Sequence, residues 1–171
     1  MRIYFDMDGV LAHFDAMIPW GAKYNHPSET LNDQDRAAKK QFWQTVEKTP
    51  NFWRDMPMMP DTEYMLSTAQ KIGEIFVLSK TPGAKHFVAG NEYVKFVANE
   101  KRNWIKTKLT QFFDNQHIII CDGNKGELIH PTHNDILIDD RHENITEWEK
   151  QGGRGILFTN AIATANKIKT L

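Results

Sequence analysis

Five short apolar runs, four to six residues each, are spaced along this chain with helical patterns between them. They are Arg2–Phe5, Glu74–Ser79, His117–Cys121, Asp135–Ile138 and Gly155–Thr159. Runs this short and this apolar, rich in Ile, Val and Phe, read as buried strands. Between them, 35–48 places Ala38, Phe42 and Val46 at i, i+4 and i+8, and 61–73 opens on an Asp cap and stops at Gly73. The stretch 91–109 alternates apolar and charged residues at helical spacing, and 144–153 closes on two glycines. Strands alternating with helices predict an α/β fold, a mostly parallel sheet covered on both faces.

In such a sheet, ligands sit beyond the carboxyl ends of the strands. The residues standing there are Asp6 and Asp8, Ser79 and Lys80, Asp122, then Asp139 and Asp140. Carboxylates end three of the five runs and a hydroxyl ends a fourth. Asp6 and Asp8 are one residue apart, so in extended backbone they project the same way. Gly9 then lets the chain turn sharply. Like charges this close favour a shared proton or a bound cation. With Asp139 and Asp140 added, the oxygen-only set Asp6, Asp8, Asp139 and Asp140 suits Mg²⁺ better than zinc. Mg²⁺ in turn points to a phosphate-bearing substrate.

Residues 14–59 interrupt the alternation with helix but no convincing strand. They predict a small helical cap inserted after the first strand, leaving 1–13 and 60–171 as the core. The cap region is rich in aromatics: Trp20, Phe42, Trp43, Phe52 and Trp53, beside polar stretches such as 25–36.

Composition limits the partners. At 171 residues and 40% hydrophobic, the chain makes one ordinary domain. A net charge of −1 gives no global basic field for nucleic acid or a membrane. Cys121 is the only cysteine, which excludes an internal disulfide or a cysteine zinc site. With no leader pattern and no apolar run near the roughly 20 residues of a membrane span, a reducing cytoplasm is the expected setting. A homodimer is left open.

"DMDGV" after an apolar strand resembles the first motif of the haloacid dehalogenase superfamily, whose first Asp is a nucleophile and second an acid/base. "IFVLS" resembles the second motif and gives that role to Ser79. "ILIDD" resembles the fourth and supplies Asp139 and Asp140. For the third-motif lysine, Lys101 in "EKRNWI" is the choice, with Lys106 and Lys125 as rivals. Within the superfamily the chain is most similar to the 5′(3′)-deoxyribonucleotidase group, through "DMDGVLAHF", "NFWRDMPMMP", "VLSKTP", "EKRNWI", "ILIDDR" and "GILFT". Ser79-Lys80-Thr81-Pro82 departs from that group's Thr-Ser-Pro, and the segment from Ser79 to Lys101 is longer.

The resemblance implies a Rossmann-like sheet of order 5-4-1-2-3 and a Mg²⁺-dependent phosphomonoesterase. Its substrate would be a nucleoside monophosphate, a deoxyribonucleotide by preference. Asp6 would attack phosphorus, Asp8 would shuttle the proton, Ser79 would bond the phosphoryl oxygens and Lys101 would balance charge. Mg²⁺ would be held by Asp6, the Asp8 carbonyl and Asp139 or Asp140. Phe14, Phe52 and Trp53 are candidates to stack on a base, Phe14 foremost, and Lys80 and Lys125 to meet phosphate. Trp43, at helical spacing, reads as core. His130–His133, with a proline inside, reads as loop rather than metal site. Arg141 is expected to pair with a nearby acid. The group Lys101, Arg102, Lys106 and Lys108 reads as a solvated helix face.

Three rivals stand beside this reading. One is a phosphatase of another small metabolite or of nucleic-acid ends. A second is a non-catalytic phosphate-binding protein of the same fold. A third is a receiver-like phospho-acceptor domain, which would carry no cap.

Overall fold

The computed structural model describes residues 1–18 and 33–171, with the side chains of 33–36 set aside. Trp20 and most of the polar stretch 25–36 lie outside the described residues.

Among the described residues, five strands form one wholly parallel sheet: β1 (Arg2–Phe5), β2 (Glu74–Lys80), β3 (Ile118–Cys121), β4 (Asp135–Asp139) and β5 (Arg154–Leu157). Their order is β3-β2-β1-β4-β5, the expected order read from the other edge. β1 lies at the centre, with Arg2 opposite both Glu74 and Asp135. Its alternation fits burial on both faces. Ile3 and Phe5 join Val77, Ile136 and Ile138 in the larger core, while Tyr4 meets Leu78, Leu137 and Trp148 on the other side.

Among the described residues there are six α-helices: α1 (Asp33–Lys48), in the inserted segment, and α2 (Thr62–Gln70), α3 (Asn91–Lys108), α4 (Lys125–Ile129), α5 (His142–Lys150) and α6 (Ala161–Ile168) around the sheet. α4 and α6 lie outside the helical stretches read from the sequence. Five residues are too few to display a period, whereas α6 does carry one, with Ala161, Thr164, Ala165 and Ile168 buried at i, i+3, i+4 and i+7 behind Asn160. The Asn160 side chain accepts from the Ala163 amide and so starts that helix.

Some details differ from expectation. Asp61 stands before α2 with φ 59° and makes no side-chain cap; Thr62 instead donates to the Met59 carbonyl at 2.8 Å. Ala38 is exposed, whereas Phe42 and Val46 are buried. β5 lies earlier than the Gly155–Thr159 run, because Phe158 already leaves the strand while its amide still bonds the Asp139 carbonyl at 2.9 Å.

The inserted segment contributes a 3₁₀ turn (Phe14–Met17) and α1. Phe42, Val46, Phe52 and Trp53 belong to the same hydrophobic core as Ile3 and Phe5. The segment is therefore pressed onto the strand ends, and a bridge between Ala12 and Met58 ties its two roots together. No helix among the described residues is long and apolar enough to cross a membrane.

Candidate active site

Parallel pairing brings the carboxyl ends of β1, β2 and β4 side by side, and a cavity of about 550 Å³ opens above them. β1 delivers Asp6, whose amide bonds the Ile138 carbonyl at 2.9 Å. The chain then turns at Gly9, at φ 80°. A Cβ on Gly9 would run into the Asp140 carboxylate, so only glycine allows this close approach. Oxygens of Asp6, Asp139 and Asp140 lie within 4.8 Å of one another.

Two lysines, both buried, enter this cluster from different helices. Lys125, on the first turn of α4, donates to Asp6 Oδ1 at 2.8 Å and Asp139 Oδ2 at 2.7 Å. Lys101, from the middle of α3, donates to Asp8 Oδ2 at 2.6 Å, Ser79 Oγ at 3.0 Å and the Lys80 carbonyl at 2.7 Å. The choice between Lys101 and Lys125 thus dissolves: each grips a different aspartate. Lys106 is exposed and takes no part.

These surroundings set the two aspartates apart. Burial would raise Asp6, but the charges of Lys125 and Lys101 outweigh it and hold its carboxyl below the usual range. Burial, then the repulsion of Asp6, keeps Asp8 above that range despite Lys101. One oxygen of Asp8, Oδ1, is buried with no hydrogen-bond partner among the described residues. Asp140 is pushed up to about 7 by desolvation in the cavity and by the charges of Asp6, Asp139 and Asp8.

Comparison with known proteins agrees with this constellation. Residues 1–168 match the family model described as 5′ nucleotidase, deoxy (pyrimidine), cytosolic type C protein. The chain belongs to this nucleotidase family. It is also similar to a 5′(3′)-deoxyribonucleotidase of Clostridium acetobutylicum, 35% identical over 111 residues, 65% of this chain and 50% of that one. The chain therefore spans about half the length of the curated relative it matches.

Among solved structures, a haloacid dehalogenase-like hydrolase from Streptococcus pneumoniae superposes with a TM-score of 0.59 at 14% identity, covering 98% of this chain and 90% of that one. A superfamily hydrolase from Ehrlichia chaffeensis gives 0.53 at 17%, with 99% and 96% covered. A hydrolase of the same superfamily from Deinococcus radiodurans, with bound phosphate and sodium, gives 0.51 at 12%, with 98% and 87% covered. At such identities these likenesses establish the fold.

In this nucleotidase-family chain the donors facing the cavity are hard oxygens. The set Asp6, Asp139 and Asp140 fits a divalent cation of the Mg²⁺ kind, and Lys125 between Asp6 and Asp139 shows the pull those carboxylates exert on positive charge. The Asp8 carboxylate lies outside that set, engaged by Lys101.

The aromatics sort differently from expectation. Phe14 lines the cavity, and so does Trp43, which also packs against the hydrophobic core as its helical spacing predicts. Phe52 and Trp53 do not line it. Each is about 1% exposed, with Phe14 packed against both rings and Lys101 Nζ 5.2 Å from the Trp53 ring centre. They serve as the floor beneath Phe14 rather than as a surface for a base. Lys80 lines the cavity but donates to Asn144 Oδ1 at 3.2 Å.

Asn144 went unnoticed in the sequence. Its amide reaches both Asp139 oxygens at 2.9 Å, and the Arg141 amide adds a third bond at 2.9 Å. Its position four residues beyond Asp140, among polar residues of the first turn of α5, carries no distinguishing signal. His130–His133 is loop, as expected, and joins no metal-capable cluster among the described residues.

Proposed function

We propose that the chain is a Mg²⁺-dependent phosphomonoesterase that hydrolyses nucleoside monophosphates, deoxyribonucleotides by preference, through an aspartyl-phosphate on Asp6. The observation that carries this reading is geometric. Two aspartates on one turn are each gripped by a separate buried lysine, and the first of them, Asp6, converges with two further carboxylates, Asp139 and Asp140.

In the first half-reaction an Asp6 oxygen attacks phosphorus, and the bond from phosphorus to the ester oxygen breaks. Asp8 gives its proton to the departing alcohol. In the second, Asp8 takes a proton from water as that water attacks phosphorus. The bond from phosphorus to Asp6 breaks, and inorganic phosphate leaves. Ser79 Oγ accepts from Lys101, which leaves its hydroxyl hydrogen for a phosphoryl oxygen. Lys125 holds Asp6 in its ionised form, and Asn144 fixes the plane of Asp139. Asp6, Asp139, Asp140 and the Asp8 carbonyl would hold Mg²⁺, which when bound offsets the charge of the phosphate.

Residues 14–59 act as the cap in this reading, with Phe14 and Trp43 facing the nucleoside. A soluble metabolite as substrate and a single cysteine suit a cytoplasmic enzyme.

The test is phosphate release from a panel of ribo- and deoxyribonucleoside monophosphates and sugar phosphates, with Mg²⁺ and with EDTA. Mg²⁺-dependent release, fastest from deoxyribonucleotides, is the expected result. Equal rates on sugar phosphates would sink the nucleotide assignment, and activity undiminished in EDTA would sink the metal.

A further inference from the structure

The sequence reading sends Lys80 to phosphate, and the residue does stand on the cavity lining. Its bonds point elsewhere. Lys80 closes β2 and is tied down through both its backbone and its side chain. The carbonyl accepts from Lys101 Nζ at 2.7 Å, the same ammonium that holds Asp8 and Ser79. The side chain passes the end of β1, which lies between β2 and β4 in the sheet, and donates to Asn144 Oδ1 on α5 at 3.2 Å. Glu147, nearly one turn further along α5, faces the ammonium at 3.9 Å.

An ammonium has hydrogens to give and no acceptor, so it can bond only the oxygen of the Asn144 carboxamide. Both amide hydrogens are then left for the other side, where they reach Asp139 Oδ1 and Oδ2 at 2.9 Å each. Lys125 touches Oδ2 and the Arg141 amide touches Oδ1. Asn144 alone among these partners spans both oxygens, and so sets the plane of a carboxylate that is fully buried. The carboxamide is a strut held at each end. Holding a long side chain in one geometry costs rotamer freedom. Charge alone does not account for it, because a lysine beside converging carboxylates opposes the cation they would bind.

We propose that Lys80 is a positioning residue: acting through Asn144, it fixes the plane of Asp139 and prepares that carboxylate for Mg²⁺. The inference rests on the metal-dependent reading of the site and deepens it. The departure Ser79-Lys80-Thr81-Pro82 from the family's Thr-Ser-Pro is what places a long cationic side chain here.

The test is the affinity of the substrate-free full chain for Mg²⁺, taken from the rise in melting temperature with Mg²⁺ concentration. It compares wild type, Lys80→Met, Lys80→Arg, Asn144→Ala and the double variant Lys80→Met, Asn144→Ala. The sign separates two roles. As a mere positive charge Lys80 repels the cation, and Lys80→Met should bind Mg²⁺ more tightly. As a positioning residue its loss should weaken binding by about 10-fold, as for other residues that support a metal ligand from behind. Lys80→Arg, which keeps a donor at this reach, should recover most of that affinity. Asn144→Ala should weaken binding at least as much, and adding Lys80→Met to it should bring no further weakening. The Lys80 side chain is 32% exposed, so Lys80→Met should melt near wild type in metal-free buffer. Its KM for a nucleoside monophosphate at saturating Mg²⁺ should stay within about twofold of wild type. Unchanged or tighter Mg²⁺ binding by Lys80→Met, or further weakening in the double variant, overturns the positioning role and leaves the phosphatase standing. A wild type that binds no Mg²⁺ overturns the metal reading along with it.

Discussion

The two ends of one sheet carry their charge in opposite ways. Where the strands begin, Arg2 grips Asp135 through Nε and Nη2 at 2.6 and 2.7 Å. The amide and hydroxyl of Thr132 add bonds to Asp135 Oδ2 at 2.8 and 3.0 Å. Burial presses that carboxyl upward, yet these partners hold it below the ordinary range. Where the strands end, four carboxylates crowd together; Asp8, Asp139 and Asp140 are all pushed up, and Asp8 Oδ1 has no partner among the described residues. One end is saturated and the other is left short of positive charge. A saturated buried acid does structural duty, whereas a shortfall marks the place where a ligand completes the set.

The largest expected effect breaks chemistry at the crowded end alone. Asp6→Asn should lower kcat by ~10³-fold or more, because the amide cannot act as the nucleophile. Its far-ultraviolet circular dichroism and melting temperature should stay near wild type. Retained Mg²⁺-dependent activity would refute the aspartyl-phosphate mechanism.

Next comes Lys125→Met, which leaves Asp6 and Asp139 buried without their shared cation. The loss should be about 3 kcal/mol of stability in metal-free buffer, measured by chemical denaturation. Saturating Mg²⁺ should then raise the melting temperature of the variant more than that of wild type. Equal shifts in the two proteins would mean that the crowded end is not short of cations.

This contrast also explains what the sequence made legible. Alternation of apolar runs and helical patterns is a local property, so the strands and their parallel pairing could be read directly. The strand-end rule then located Asp6, Asp8, Ser79, Asp139 and Asp140. What escaped depends on how distant segments meet. Nothing local separates Lys101 from Lys125, because their roles arise only where α3 and α4 deliver them to different aspartates. The same limit applies to the aromatics. Phe52 and Trp53 stand next to each other and both turn inward, while Trp43 reaches the cavity from α1. Asn144 is a polar residue on a polar helix until β4 brings Asp139 beneath it.

At the saturated end the expected effects are smaller and fall on stability. Asp135→Asn keeps the shape but weakens the bonds to Arg2 and Thr132, and should cost about 2 kcal/mol with kcat and KM unchanged. The sign with pH follows from the lowered carboxyl. Its contribution is complete above the ordinary value of 3.8 and disappears as pH falls below that value. The stability gap between wild type and variant should therefore narrow in acid. A gap that persists undiminished in strong acid would show that the pair is not the source of the difference.

The smallest effect belongs to a neighbour at this same end. His117 Nδ1 lies 2.6 Å from Asp114, and Nε2 lies 3.2 Å from Glu74 at the start of β2. The hydrogen bond to Asp114 raises the imidazole above its ordinary 6.5, against slight burial and with help from Glu74. A raised value means that the folded state binds the proton more tightly than the unfolded chain. The contribution is then fully present below about 6.5 and is lost as pH rises through the folded value. His117→Gln should remove this component, so denaturation midpoints for wild type and variant should differ most near pH 6 and converge on the alkaline side. A constant offset across that range would assign His117 to packing against Phe76, whose ring centre is 4.9 Å away, and not to charge.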